Sequence, residues 1–305
     1  MKLCQYFVPG KGKRVGIVSG DSVLDVTAPR DGVTSVLDLI DSAGSPASLE
    51  RRLGALAKKA RVRVPWASLD RAPSPRQAHL LVPIDPPEVW GAGITYRRSR
   101  EYYEAHNEQH SGRTKGIYDF VYESERPELF FKATASRTAG PNAPIGVRAD
   151  STLTAVEPEL AVVLGRGGAI AGYTIGNDLS AWDIERANPL FLPQSKMFDG
   201  CFACGPVLVT AAEIGDPQSL ELTCAVMRGG CAVYQGRVNT KEMKRQCVEL
   251  VSWLCRSNTC PPGTVLSTGT GILVPDEHAL ADGDVVEITL DRVGTLRNPV
   301  RRLPA

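Results

Sequence analysis

The chain has 305 residues, with Lys plus Arg at 35 against Asp plus Glu at 34, a formal net charge of +1. So even a balance excludes the basic field of a dedicated nucleic-acid binder and the acidic surface of a polyanion mimic. With 43% hydrophobic residues, 8 cysteines and no apolar run near the ~20 residues of a membrane span, the expectation is a cytoplasmic globular protein with reduced thiols and neither membrane nor nucleic-acid partners. The opening residues Met1 to Tyr6 lack the apolar stretch of a secretory leader, which gives the same expectation.

Residues 1–80 read as a small α+β unit. Short β-type runs at Gln5–Val8, Val15–Val18 and Ser22–Val26 are divided by Gly and Asp turns. A helix is expected at Val36–Ile40. A second starts at Ser45 as N-cap with Pro46 in the first turn, and places Leu49, Leu53 and Leu56 on one face. Asp70–Arg76, with Pro73 and Pro75, reads as a linker. In residues 81–305 strands dominate: Val89–Ile94, Leu129–Ala133, Leu160–Leu164, Ala169–Ile175, Val265–Ser267 and Val285–Leu290. Tyr96–His110 is polar and helical in pattern. Cys224–Tyr234 reads as a hairpin turning on Gly229-Gly230. Thr240–Cys255 carries Met243, Cys247, Leu250, Val251 and Leu254 at helical spacing. Irregular gaps between the strands favour a β-rich α+β fold over alternating βαβ units.

The sharpest chemical feature is Val156-Glu157-Pro158-Glu159-Leu160. Strand alternation puts Glu157 and Glu159 on one face, as a divalent-cation site or as a solvent-facing acidic pair. Asp178 ends the next strand, and antiparallel pairing would bring it to the same spot. Hard oxygen ligands of this kind suit Mg²⁺, with Mn²⁺ or Ca²⁺ as substitutes. Asp178 or Ser180 is equally placed to cap the helix that follows. Lys196 is either a solvated loop lysine or, beside such a site, an anion-binding or proton-transferring group. Ser267-Thr268-Gly269-Thr270-Gly271 reads as an ordinary turn or as a carboxylate cradle of backbone N–H groups and hydroxyls. Cys201 and Cys204 have metal spacing without a matching second pair, and Gly205-Pro206 suggests a turn. His106 and His110 lie four apart without the zincin glutamate, which fits surface histidines.

Together these pieces resemble the fumarylacetoacetate hydrolase family over roughly Val89 to Val300. The likeness rests on Gly91-Ala92-Gly93-Ile94-Thr95-Tyr96, Glu157-Pro158-Glu159-Leu160-Ala161, Gly176-Asn177-Asp178-Leu179-Ser180, Lys196, Ser267-Thr268-Gly269-Thr270-Gly271 and Gly294-Thr295-Leu296-Arg297-Asn298-Pro299-Val300. It implies a mixed β-roll catalytic domain behind a small N-terminal domain, a homodimer or homotetramer, and a Mg²⁺ ion on Glu157, Glu159 and Asp178 that chelates a small anionic 2-oxo acid. The family's hydrolases carry a His where this chain has Ser99, and Thr95 replaces an Asn. The segment from Ile117-Tyr118-Asp119 to Glu128-Leu129-Phe130-Phe131-Lys132 is similar instead to the branch that dehydrates 2-keto-3-deoxy sugar acids. In that branch a Glu and a Lys flank the substrate, and they match Glu128 and Lys196.

The resemblance therefore implies a metal-dependent dehydratase, with Glu128 and Lys196 as base and acid in an order left open. Thr268, Gly269, Thr270, Lys132 and Ser99 are expected at the substrate. The alternative is a hydrolase or decarboxylase of acylpyruvate, fumarylacetoacetate-like or oxaloacetate substrates, with His106 as its base. The polar segment Arg97–Asp119, with Arg97, Arg98, Arg100 and Lys115, reads either as a solvated helix or as a cover over the site.

Overall fold

The structure, a computed structural model, describes residues 1–111 and 116–305, apart from the side chains of 106–111. The N-terminal meander is β1 (Lys2–Val8), β2 (Gly12–Ser19) and β3 (Ser22–Asp25). Helix α1 (Val36–Ala43) begins on a reciprocal capping box between Ser35 and Asp38 and ends at Gly44 in the left-handed region. Helix α2 (Pro46–Lys59) begins on Ser45, as its Ser-Pro start predicts, and buries Leu49 and Leu53. The short strands β4 (Arg63–Pro65) and β5 (His79–Leu81) then pair with β3 and β1.

Strand β6 (Val89–Gly93) leads through Ile94, which takes a left-handed φ of 51°, into α3 (Arg97–Ser111) and α4 (Ile117–Glu123). Strand β7 (Glu128–Ala133) returns antiparallel to β6. After the short strands β8 (Thr138–Ala139), β9 (Ile145–Val147) and β10 (Thr154–Ala155) come β11 (Pro158–Leu164) and β12 (Ile170–Asp178). Next are β13 (Ser180–Ala181), α5 (Trp182–Ala187), α6 (Leu192–Lys196), β14 (Phe202–Thr210) and α7 (Ala211–Ile214). The chain closes with β15 (Glu221–Arg228), β16 (Cys231–Asn239), α8 (Cys247–Leu254), β17 (Val265–Ser267), β18 (Val285–Leu290) and β19 (Gly294–Arg302).

The large sheet runs β4-β3-β2-β1-β14-β12-β11-β17-β6-β7, and a second runs β16-β15-β18-β19-β9. Every residue of β11 is buried, which is why its sequence is an almost unbroken apolar run. Residues 1–80 are joined to the rest edge to edge, Leu3 facing Leu208 across β1 and β14. The expected 80/81 boundary falls inside β5, and Leu3, Tyr6 and Leu80 share one core with Val207, Leu208 and Val209.

Local expectations hold where local chemistry dominates. Gly229 and Gly230 turn the β15–β16 hairpin with φ of 58° and 83°, values that glycine adopts without strain. Thr240–Cys255 needs correction. Thr240–Glu242 forms one 3-10 turn and only Cys247–Leu254 is α-helical, because Met243 bridges to Tyr96 and the Lys244 N–H donates to the Thr95 carbonyl. Those pairings hold Met243 and Lys244 against the entry to α3 and interrupt the helix there. Gly205-Pro206 also proves to lie inside β14, where pairing with β12 shifts register, and not in a turn.

Candidate active site

Glu157 stands just before β11 and Glu159 is its second residue, so both point to one side. The β11–β12 register sets Glu159 against Gly176, and the Asp178 N–H donates to the Glu157 carbonyl at 3.0 Å. Carboxylate oxygens of Glu157, Glu159 and Asp178 lie within 4.8 Å of one another. All three residues are buried, which rejects the solvent-facing reading. Burial first, then Asp178 and Glu157, push the Glu159 carboxyl well above the usual carboxylate range. A bound divalent cation would relieve that repulsion, and an all-oxygen donor set fits Mg²⁺.

The trio is held by a specific set of donors. Tyr103 Oη and Trp182 Nε1 both donate to Glu157 Oε1 at 2.8 Å. The Gly269 N–H donates to Glu159 Oε2 at 2.7 Å. The carboxylate met by the Ser267–Gly271 loop is thus the protein's own. Lys196 Nζ lies 2.8 Å from Glu157 Oε2, 3.3 Å from Asp178 Oδ2 and 2.6 Å from Ser180 Oγ. Burial alone would lower the Lys196 pKa, but Asp178, Glu157 and Glu185 hold it well above the usual lysine value. No side chain caps α5, so neither Asp178 nor Ser180 serves as its cap.

Above the trio lies a pocket walled by Glu128, Phe130, Tyr103, Tyr118, Lys196 and Glu185 among others. Glu128 opens β7 directly opposite Gly93. A Cβ on Gly93 would stand 2.0 Å from Glu128 Oε2, and one on Gly91 would stand 2.4 Å from the Phe130 ring. That ring flanks the Lys196 ammonium at 5.0 Å. The glycines of β6 therefore make room for the two groups expected to carry proton transfer. Burial raises the Glu128 pKa, Lys196 opposes that shift, and Glu157 and Asp178 add to it. Gly93→Ala should push the Glu128 carboxylate aside and cost about 10²-fold in kcat. The thermal midpoint should stay near wild type, and steady-state kinetics with a melting curve test this.

Two expected substrate contacts, Lys132 and Thr268, are corrected. Lys132 is fully buried behind Asp178 and does not line the cavity. Its Nζ donates to the Leu179 and Lys196 carbonyls and ion-pairs with Asp178 Oδ1, each at 2.6 Å. It is a positioning residue. Thr268 turns away, donating to the Leu160 carbonyl at 2.8 Å, while its own carbonyl accepts from Thr95 Oγ1. Ser99 borders the cavity as expected, and its hydroxyl donates to the Thr270 carbonyl. Gly269 and Thr270 border the cavity as expected. Asn298 of the last motif holds the Gly140 and Ala143 carbonyls and serves the fold.

Helices α3 and α4 do cover the site, through Tyr103 and Tyr118, which stack at 5.2 Å. The arginines of the segment pair outward: Arg97 with Glu101, Arg98 with Glu242 and Arg100 with Asp119. Lys115 and the side chains of His106 and His110 lie outside the described residues.

A family model described as fumarylacetoacetate (FAA) hydrolase, C-terminal, matches residues 95–301. The chain belongs to the fumarylacetoacetate hydrolase family. Among similar members, the 2-dehydro-3-deoxy-D-arabinonate dehydratase of Saccharolobus solfataricus is 50% identical over 221 residues, 72% of this chain and 74% of that one. A probable 2-keto-3-deoxyxylonate dehydratase of Haloferax volcanii is 45% identical over 222 residues, 73% of this chain and 75% of that one. A solved 2-keto-3-deoxy-D-arabinonate dehydratase, complexed with magnesium and 2,5-dioxopentanoate, superposes with a TM-score of 0.83 and 38% identity over the full length of both chains. The mixed α+β, β-rich architecture is thus that of the hydrolase family, with residues preceding the matched segment forming the N-terminal region.

One residue lining this pocket had no distinct sequence signal. Glu185, on the short helix α5, lines the cavity, and burial pushes its carboxyl up to about 7, with Lys196 opposing and Glu157 adding to the rise. An unfolded glutamate titrates near 4.3. Between that value and about 7 the unfolded chain releases its proton first, so metal-free stability falls as pH rises through this window. Glu128 and Glu159, also raised, act in the same direction. The expected result is a lower urea midpoint for the metal-free protein at pH 7 than at pH 5, with Mg²⁺ closing part of the gap. Equal midpoints would contradict it.

Proposed function

We propose that the protein is a magnesium-dependent hydro-lyase that removes water from a 2-keto-3-deoxy sugar acid, such as 2-keto-3-deoxy-arabinonate, leading to a 2-oxo acid semialdehyde. The observation that carries this reading is the convergence of Glu128 and Lys196 on the cavity that holds the Glu157, Glu159 and Asp178 trio. The relatives named for this chemistry, and the magnesium and 2,5-dioxopentanoate in one of them, support it.

When bound, Mg²⁺ on the trio supplies a Lewis acid for the 2-oxo end of the substrate. The chain's own groups move the protons. Glu128 has no hydrogen-bond partner among the described residues and takes the C3 proton. Lys196 stands as a donor to Glu157, Asp178 and Ser180 and protonates the C4 hydroxyl, which leaves as water. Gly269 and Thr270 border the end that takes the substrate carboxylate. Phe130, Tyr103 and Tyr118 exclude bulk water.

This reading includes a homodimer or homotetramer, to which the exposed Phe120 and Leu190 would contribute, and a cytoplasmic setting that keeps all eight cysteines free. No helix among the described residues is long and apolar enough to cross a membrane. The test mixes purified protein, Mg²⁺ and 2-keto-3-deoxy-D-arabinonate and follows the semialdehyde by proton NMR. Its appearance, lost on chelation and restored by Mg²⁺, is expected. Intact Mg²⁺ binding without turnover would reject this substrate.

A further inference from the structure

Loss of water across C3 and C4 does not by itself give the 2,5-dioxopentanoate found in the solved relative. It gives 5-hydroxy-2-oxopent-3-enoate, an isomer of that product. To become the semialdehyde, this unsaturated acid must lose a proton from C5, regain one at C3, and then ketonise with a proton arriving at C4 as the C5 hydroxyl loses its own. Glu128 and Lys196 account for the first half and, through the proton Glu128 holds, for the return to C3. Neither is assigned to C5, the atom farthest from a 2-oxo end anchored at the metal ligands.

We propose that Glu185 is a third proton-transfer group of this active site, taking the C5 proton of the unsaturated intermediate and delivering one to C4. The inference rests on the dehydratase reading above. Four observations support it. The Glu185 carboxylate lines the same cavity as Glu128 and Lys196. It stands outside the close cluster of Glu157, Glu159 and Asp178, so it is free of metal-ligand duty. It has no structural counter-charge in hydrogen-bond contact: among the described residues its one such contact is Ser195 Oγ at 3.5 Å, and that hydroxyl is better engaged with the Ala181 carbonyl at 2.9 Å. It is nevertheless buried, a costly place for a carboxylate with only that one long contact and one that function explains better than folding does.

The groups whose charges reach Glu185 are Lys196, Glu157, Glu128 and Asp178, with Tyr103 and Tyr118 on the covering helices. Its upward-shifted carboxyl suits a base that must also return a proton near neutral pH. The steps balance. Glu128 takes the C3 proton and gives it back, Glu185 moves a proton from C5 to C4, and the proton lost by the C5 hydroxyl offsets the one Lys196 gave to the departing water. No oxidant or reductant is needed.

The test compares wild type with Glu185→Gln and Glu185→Asp, all loaded with Mg²⁺, on 2-keto-3-deoxy-D-arabinonate. Proton NMR separates the vinyl signals of the unsaturated acid from the aldehyde. Glu185→Gln should still release water but accumulate the unsaturated acid, with aldehyde formation slowed by about 10²-fold or more. Glu185→Asp, which keeps a carboxylate, should fall between the two and serves as the readout if the Gln variant does not fold. Aldehyde formation at the wild-type rate in both variants, or equal loss of both halves in a folded variant, overturns the inference. If wild type itself leaves the sugar acid untouched, it is the dehydratase reading that fails.

Discussion

Glu128→Gln is expected to lower kcat for the sugar acid by about 10²–10⁴-fold, the range for loss of a positioned general base. The substitution keeps shape and volume, so the cavity wall and the space above Gly93 should be unchanged. What it removes is the ability to accept a proton at C3. Glu128 has no hydrogen-bond partner among the described residues, so no network should collapse. Lys196→Met is a less selective probe, because Lys196 also touches Glu157 and Asp178 and its loss would disturb the ligand trio. For Glu128→Gln, Mg²⁺ affinity by calorimetry and the thermal midpoint should both match wild type. Turnover close to wild type would remove Glu128 from the mechanism. A large rise in KM at unchanged kcat would reassign it to binding.

The clustering of the acidic trio was legible because its geometry is local. A period of two places Glu157 and Glu159 on one face, and a single antiparallel turn brings Asp178 back beside them. Gly91 and Gly93 carried a signal too: they lie across from Phe130 and Glu128, and their missing side chains make the room. Glu185 was not legible. In Trp182-Asp183-Ile184-Glu185-Arg186-Ala187 it is one charge among three on a short helix, and only tertiary packing separates it from Asp183, which binds the Thr152 N–H at the surface. The Thr240–Cys255 pattern misled because apolar spacing describes which side is buried, not what the backbone pairs with. There the backbone pairs with Thr95 and Tyr96. Nor does any local pattern in β1 announce that its partner is β14, some 200 residues away.

Lys132 is the case where a sequence signal was present but its target was not. A lysine inside Leu129-Phe130-Phe131-Lys132-Ala133 must find buried partners, and substrate was one candidate. The structure gives it Asp178 and two carbonyls instead, one of them from Lys196 itself. Lys132 therefore sets the position of a proposed metal ligand and of the proposed acid at once. Lys132→Met should leave Asp178 Oδ1 without its ion-pair partner and both carbonyls without their donor. Removing one partner of a buried ion pair costs about 3–5 kcal/mol, which should appear as a marked fall in the urea midpoint. Losing the group that orients a ligand should also weaken Mg²⁺ binding by about 10–100-fold. These two effects separate positioning from substrate contact. At saturating Mg²⁺ a positioning lysine leaves the substrate KM nearly unchanged, whereas a substrate-binding lysine raises KM with stability and Mg²⁺ affinity intact. Urea denaturation, Mg²⁺ calorimetry and kinetics on the one variant decide between them, and the buried three-way contact of Lys132 Nζ predicts the first pattern.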